Sequence, residues 1–505
     1  MIKEFKDISK NIIEEADVCV IGTGAGGAVA AKELAEKGLS VVALEEGSYF
    51  TYKNFNQDPG DMMAMMYRDS GTTVALGLPP ASITMGKCIG GTTTINSATC
   101  FRTPQKVIKH WKREYDCLGL EYDTLVPYFE KVEKEISVTE LSEDILGNAY
   151  QIVKRGAKEL GLEAKPLKHN VKACDGAGVC QWGCIKGAKQ STEISYIPKA
   201  DKLGARIYAN CHVRRLDVES GKVRSVHGFF IDPVTGKRRY SITVKSKVVC
   251  LAMGSMITPA FLLKQRLANI SGWVGKGLTI HPCGRVVAEM EEEVNGHHGV
   301  SQGGQIDAFE DEDIMLEGIF IPPGVMTMAL PGIGEEHKYL AKHYNNLAAF
   351  GVMICDTTRG RIFPGLLGYS YIAWYSMNQT DTDKLQKGIS IVADIFFAAG
   401  AKRVFTGCYG MPILTSRDDL KTFKAMKTKP WHYEVTAFHP LGTCRMGNDP
   451  RRSVVDLNLE AHDIKGLFIT DGSPFPTSLG VNPQVTIMSF ATRASDYIAE
   501  NINRY

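Results

Sequence analysis

The order of apolar and polar positions divides the chain into recognisable pieces. Val18-Cys19-Val20-Ile21 is a short unbroken apolar run, the pattern of a strand buried on both faces. Ala28–Lys37 is rich in Ala, Glu, Leu and Lys and stops at Gly38, which predicts a helix. Ser40–Leu44 is a second apolar run and ends on Glu45. Together they make a strand–helix–strand unit close to the first residue. Residues 50–105 are rich in Gly, Thr and Met, with a helical pattern only in patches, whereas 106–165 read as mostly helical. Arg206–Leu216, Val223–Ile231 and Arg238–Val244 alternate as strands do, with a hairpin turn at Asp232–Gly236. The uncharged stretch Val248–Leu263 contains Gly254 and Pro259 and reads as a strand, a turn and a helix start. It falls short of the ~18–20 residues of a membrane span. Residues 286–430 mix strand-like and helix-like pieces, among them the amphipathic Lys384–Ala399.

Composition narrows the class. The chain has 505 residues, enough for two or three domains and an internal cofactor site. Its 58 basic and 56 acidic side chains give a net charge of +2, a balance that argues against a nucleic-acid binder or a polybasic membrane anchor. Fifty glycines are an excess that suggests backbone lying close to a ligand. Thirteen cysteines are too few for a disulfide scaffold, and the opening residues carry no secretory pattern. A cytoplasmic, thiol-reducing setting is the expectation.

Gly22, Gly24 and Gly27 follow the first strand and open the helix, and Glu45 closes the second strand. This is a dinucleotide fingerprint. Gly22 permits a tight turn, Gly24 lets the backbone approach a pyrophosphate, and Gly27 lets the helix pack on the strand. The pyrophosphate then meets the helix N-terminus, where free N–H groups favour negative charge. Glu45 is the acceptor expected for the adenosine ribose. The alternative is a purely structural glycine turn.

Further along stand Gly86-Lys87-Cys88-Ile89-Gly90-Gly91-Thr92-Thr93-Thr94-Ile95-Asn96, Val274–Leu278 before His281-Pro282, His439–Gly447, and Leu467–Ser473 continuing through Pro476, Gly480, Asn482, Pro483 and Thr486. In this order they resemble the motifs of the glucose–methanol–choline (GMC) oxidoreductases, closest to the long-chain alcohol oxidase and flavin sugar or polyol dehydrogenase branches. The resemblance implies an α/β fold: a Rossmann-like FAD-binding domain with a discontinuous substrate-binding cap built on an antiparallel sheet. The expected division is 14–105, 190–285 and 455–505 for FAD, 106–189 as a helical, cysteine-containing insertion, and 286–454 for substrate. Cofactor contacts are expected from Gly22, Gly24, Gly27, Glu45, Gly86, Gly90, Gly91, Thr92, Asn96, Val213, Asp471, Gly472, Asn482, Pro483 and Thr486. Ile95 stands where some relatives carry a covalently linked His, so the FAD is expected to be noncovalent.

His439 and Asn482 are the catalytic candidates. Flavin-dependent alcohol oxidation removes a hydroxyl proton and passes a hydride to the flavin N5. A histidine of ordinary pKa, near 6.5, is already mostly neutral at pH 7 and able to act as the base. Asn482 can donate to the developing alkoxide. The resemblance places these two positions beside the flavin N5. The activity expected is oxidation of an alcohol (a polyol, a sugar or a long-chain alcohol) to a carbonyl. Two alternatives stay open, an oxidase releasing peroxide and an FAD-containing lyase of the hydroxynitrile type.

Cys174, Cys180 and Cys184 lie six and four residues apart among glycines. Related flavin sugar dehydrogenases hold a three-iron cluster at similar spacing, which would pass electrons to an acceptor protein. Free structural thiols, a disulfide or zinc are the alternatives. The His297–His298 doublet, His281 and the acidic run Glu310–Asp313 are read as structural, Met62, Met63, Met65 and Met66 as core or active-site cover, and Tyr371, Trp374 and Tyr375 as pocket wall or core.

Overall fold

The computed structural model describes residues 1–320, 323–327, 330–366 and 370–505. Two sheets organise these residues. In the first, the strands run in the order Ile2–Lys3, Arg206–Tyr208, Val41–Leu44, Ile12–Ile21, Arg238–Leu251, Lys222–Ile231, Cys211–Glu219, and Leu467–Ile469 also pairs with Arg238–Leu251. The pairs from Ile2–Lys3 through Ile12–Ile21 to Arg238–Leu251 and Leu467–Ile469 are parallel. Val18–Ile21, Val41–Leu44 and Val248–Leu251 are fully buried, and helix Ala25–Glu36 lies over this part of the sheet.

The apolar pattern located these elements and misjudged their ends. The first strand starts at Ile12, its outer half being exposed at alternate residues. The first helix starts at Ala25, since Gly24 is its N-cap. Arg206–Leu216 splits at Ala209-Asn210, with Asn210 in the left-handed region (φ 55°). Arg238–Leu251 is one strand of 14 residues that joins the antiparallel and parallel halves of the sheet.

The second sheet has thirteen strands, mostly antiparallel. At its centre, Cys283–Glu289, Leu347–Ile354 and Ile314–Gly318 pair and carry the 20-residue helix Gln379–Ala398 on one face. Gly388 lets this helix lie close, because a Cβ there would stand 2.3 Å from Val352 Cγ1. Val74–Leu76 and Ala81–Ile83 belong to this second sheet, although the expected division puts all of 14–105 with the nucleotide-binding segments. Helices Gln105–Glu114, Tyr122–Glu135 and Asn148–Glu159 occupy the region read as helical. Among the described residues no helix is long and apolar enough to cross a membrane.

Candidate active site

The C-terminal ends of the parallel strands converge on the glycine loop. Gly22 has φ 96°, and a Cβ there would meet Ala252 O at 2.3 Å. Gly27 packs on the carbonyl of Gly22, which a Cβ would approach to 1.9 Å. Gly26, not singled out by the motif, lies tightest of all, with Thr470 O 1.7 Å from its Cβ position. Gly24 differs: the nearest atom to a Cβ there is Gly91 Cα, at 3.9 Å. The glycine loop and the Gly86–Asn96 loop therefore meet at a helix N-terminus, where a Cβ on Gly91 would stand 2.9 Å from Gly24 Cα. Next to it, at the end of Leu467–Ile469, Thr470 Oγ1 and Ser473 Oγ are buried without partners. An open helix N-terminus with unused hydroxyls beside it fits a dinucleotide phosphate.

Several expected cofactor residues are engaged by protein. Glu45 accepts from Thr23 N and Oγ1 and from Gly47 N, at 2.9, 2.8 and 3.0 Å, so it braces the glycine loop from below. Asp471 accepts from Gly254 N, Thr258 Oγ1 and Ser473 N. Gly472 sits where a Cβ would press on Ser255 Oγ at 2.7 Å. Thr92 Oγ1 accepts from Gly86 N, and a Cβ on Gly90 would strike Thr94 Oγ1. Asn96 donates to Gln484 Oε1 and accepts from Ala98 N. Val213 is buried in the first sheet opposite Gly228, and Pro483 caps helix Gln484–Asn501, in which Thr486 bonds Thr103.

His439 and Asn482 come together, with Asn482 Nδ2 3.4 Å from His439 Nε2. The residue that joins them is His281. Its Nε2 accepts from Leu479 N and Gly480 N, at 2.8 and 3.1 Å, and its Nδ1 donates to His439 O at 3.3 Å. Its ring meets that of His439 edge-on, 5.4 Å between centroids. His281 is fully buried in the left-handed region (φ 51°) and is held there by Asp356. That carboxylate accepts from His281 N, Ile280 N, Tyr375 OH and Ser478 Oγ. Burial, and then the neighbouring His281, push the His439 pKa well below 6.5. The imidazole is thus neutral over a wider pH range than the unperturbed residue expected from the sequence.

Glu317 is a member that pattern reading missed. It is buried in the strand Ile314–Gly318, with Gln302 Nε2 donating to its Oε2 at 3.2 Å. Burial raises its pKa to about 7, against the opposing pull of hydrogen bonds from Asn482 and Gln302. Glu317 Oε1 and Asn482 Oδ1 are both buried acceptors without a donor. A single glutamate in the apolar run Ile-Met-Leu-Glu-Gly was the available signal.

The three cysteines stand apart from this constellation. Lys189, fully buried, donates to Cys180 O and to Thr94 O and Asn96 O, which ties their loop to the Gly86–Asn96 loop. Its backbone N–H points at Cys184 Sγ, 3.5 Å away. All thirteen cysteines are free thiols, and burial pushes that of Cys180 up to about 11. No group of three or more His, Cys, Asp or Glu among the described residues is arranged to hold a metal ion. The iron–sulfur expectation for Cys174, Cys180 and Cys184 therefore finds no support in the donor arrangement.

The GMC oxidoreductase family models match residues 63–283 and 371–491, and an FAD-binding-domain model matches 17–55. An uncharacterised GMC-type oxidoreductase of Mycobacterium tuberculosis is 32% identical over 96% of this chain and 76% of its own. A long-chain-alcohol oxidase of Arabidopsis thaliana is 28% identical over 97% of this chain and 68% of its own. Among solved structures, pyridoxine 4-oxidase from Mesorbium loti superposes with a TM-score of 0.70 at 17% identity, covering 95% of this chain and 98% of that one.

Four outcomes follow from these contacts. Gly24→Val should fold but purify without flavin absorbance, whereas Gly26→Ala should fail to give soluble protein; absorbance spectra and yield test both. His281→Ala strands two buried N–H groups, each costing about 1–3 kcal/mol, and should lower the melting temperature by several degrees. Glu317 has a folded pKa above its unfolded value near 4.5, so keeping it charged in the fold becomes costly as pH rises and is fully costly above about 7. Glu317→Gln should therefore raise the melting temperature more at about pH 8.5 than at about pH 5, as thermal scans would show.

Proposed function

The chain belongs to the GMC oxidoreductases, and from that premise we propose that it oxidises an alcohol to a carbonyl with noncovalently bound FAD, His439 acting as the base. The observation that carries this reading is the 3.4 Å pairing of a neutral His439 with Asn482, held by His281. The long-chain-alcohol oxidase relatives support an alcohol as the substrate class.

FAD bound along the glycine loop and the Gly86–Asn96 loop would supply a two-electron acceptor for the hydride of the alcohol carbon. The helix N-terminus at Gly24 would face its pyrophosphate, with Thr470 and Ser473 offering unused hydroxyls. His439 Nε2 takes the hydroxyl proton. Low basicity of the buried ring lowers the driving force for that transfer but keeps the ring free of protons at neutral pH. The Asn482 amide donates to the oxygen as negative charge develops on it. Glu317 stands within electrostatic reach of the same amide. Asn96, bonded to Gln484 and Ala98, has a supporting part in this reading, as do Glu45 and Asp471, which shape the loops.

His439→Ala should retain FAD and slow anaerobic flavin bleaching by alcohol about 10²–10⁴-fold. Near-normal bleaching would remove His439 from the mechanism. The wild-type rate should lose activity on the acid side only well below pH 6.5, following the depressed His439 pKa. A screen of alcohols and sugars, repeated with dioxygen and with dye acceptors, would identify substrate and acceptor. Flavin that stays oxidised with every alcohol while a cyanohydrin is cleaved would favour the lyase.

A further inference from the structure

The strand Arg238–Leu251 changes partners part-way along, and the change opens a cleft. Its antiparallel pairing with Lys222–Ile231 ends at Lys245, opposite Ser225. Beyond that point Val249 pairs with Leu467 instead. The turn leading into Leu467 wedges between the two strands. On one side Lys465 N donates to Gly221 O and Val223 N to Lys465 O; on the other Val249 N donates to Gly466 O. The wedge is tight, since a Cβ on Gly466 would stand 2.5 Å from Lys247 O. Where the strands part they leave a cleft of about 300 Å³, open to solvent. That is the lower end of the size range of small-molecule sites. Glu15 and Ala16 line it, six or seven residues before Gly22 on the same strand. About 20 Å of strand therefore separates the cleft from the glycine loop.

The lining is strongly basic. Lys222, Arg224, Lys245, Lys247 and Lys465 surround the cleft, against one lining carboxylate, Glu15. Three of these cations have an acidic partner. Lys245 pairs with Glu15 at 3.0 Å, Lys247 with Asp17 at 2.9 Å and Arg224 with Glu219 at 3.4 Å. Lys222 and Lys465 differ. Among the described residues neither forms an ion pair with a side-chain or terminal carboxylate, and Lys222 Nζ donates to a main-chain carbonyl, Arg504 O, at 3.4 Å. Yet the two lysines face each other directly across a β-bridge, a like-charge arrangement that is destabilising by itself. Ser246 also lines the cleft, and its Oγ is buried with no hydrogen-bond partner. Buried hydroxyls are normally bonded. The ring of Tyr505 supplies a further wall, its OH donating to Glu460 Oε2 at 3.2 Å.

We propose that this cleft binds a phosphate monoester, with the phosphate group held between Lys222 and Lys465 and hydrogen-bonded by Ser246 Oγ. A phosphate monoester carries close to two negative charges at neutral pH, which matches the two ammonium groups that lack a carboxylate. Its oxygens accept from several donors at once, and ammonium and hydroxyl groups supply them. A lone carboxylate would bring one charge and leave one of the two lysines uncompensated. Arg224, Lys245 and Lys247 stand around the rim and raise the local potential that draws an anion in. The cleft has room beside the phosphate for a small organic body against Tyr505. The bound ester would tie the Lys465–Gly466 turn to both strands that it separates, at a distance from the flavin chemistry.

Isothermal titration of the FAD-loaded protein with inorganic phosphate tests this, because the flavin's own phosphate cradle is then filled. One saturable site with a Kd of about 1 mM or below is expected at about 0.15 M ionic strength. Lys465→Gln and Lys222→Gln should each weaken it about 10-fold or more, and Ser246→Ala about 3–10-fold, with flavin absorbance kept and the melting temperature without phosphate not lowered. Lys237→Gln, at the exposed hairpin end of the same two strands, should bind as the wild type does. Glycerol 3-phosphate should bind at least as tightly as inorganic phosphate. Cosedimentation with phosphatidylcholine vesicles containing phosphatidic acid, lost in Lys465→Gln, would place the ester on a lipid headgroup; phosphate binding without cosedimentation would place it on a soluble molecule. No saturable binding up to about 10 mM phosphate overturns the proposal. So does a loss of affinity in Lys237→Gln equal to that in Lys465→Gln, which would be an effect of net charge alone.

Discussion

The candidate site depends on one buried imidazole. His281 has no exposed surface, yet both of its ring nitrogens are used, one receiving the N–H groups of Leu479 and Gly480 and the other donating to the carbonyl of His439. Three segments far apart in the chain thereby meet at a single ring. The turn that delivers Asn482 is held on one side and His439, the proposed base, on the other. Asp356 makes this possible by collecting four donors, two of them the backbone N–H groups of Ile280 and His281. Each buried group in the set is satisfied only while the others stay in place, which gives the arrangement its rigidity.

A second polar chain extends that order outward. Asn96 donates to Gln484, Gln484 to the carbonyl of Thr99, Thr99 to Gln302, and Gln302 to Glu317. The flavin-type loop, the start of the last helix and the second sheet are joined in this way. Lys189 fastens the same loop from behind through three carbonyls. The cysteine loop, at the level of residue types the most suggestive feature outside the glycine motifs, thus acts through a lysine ammonium and its backbone. Burial raises the pKa of the Cys174 and Cys180 thiols.

Much of the fold was legible in the chain. Alternating and continuous apolar runs located the strand–helix–strand unit, the hairpin at Asp232–Gly236 and the long helix over Lys384–Ala399, because burial on one face or two leaves a period in the sequence. The glycine fingerprint marked the loop at the strand ends, and the motif order marked the family. Strand ends were less legible. Polar residues at an exposed strand end look like loop, which hid the start at Ile12, and a kink at Asn210 leaves no apolar signature.

Residue types and spacing by themselves determined the dinucleotide loop, the family and the nomination of His439 and Asn482, since these rest on local backbone geometry and on short motifs. Only the tertiary structure decided what those residues experience. That His439 is neutral far below pH 6.5, that His281 is the clamp, and that Glu317 reaches Asn482 all depend on desolvation and on contacts between residues tens to hundreds of positions apart. The same holds for Trp374, half of which meets water. Its place in an alternating strand is readable, but whether that side of the strand faces a core or water is set by the other strands and by what packs on them.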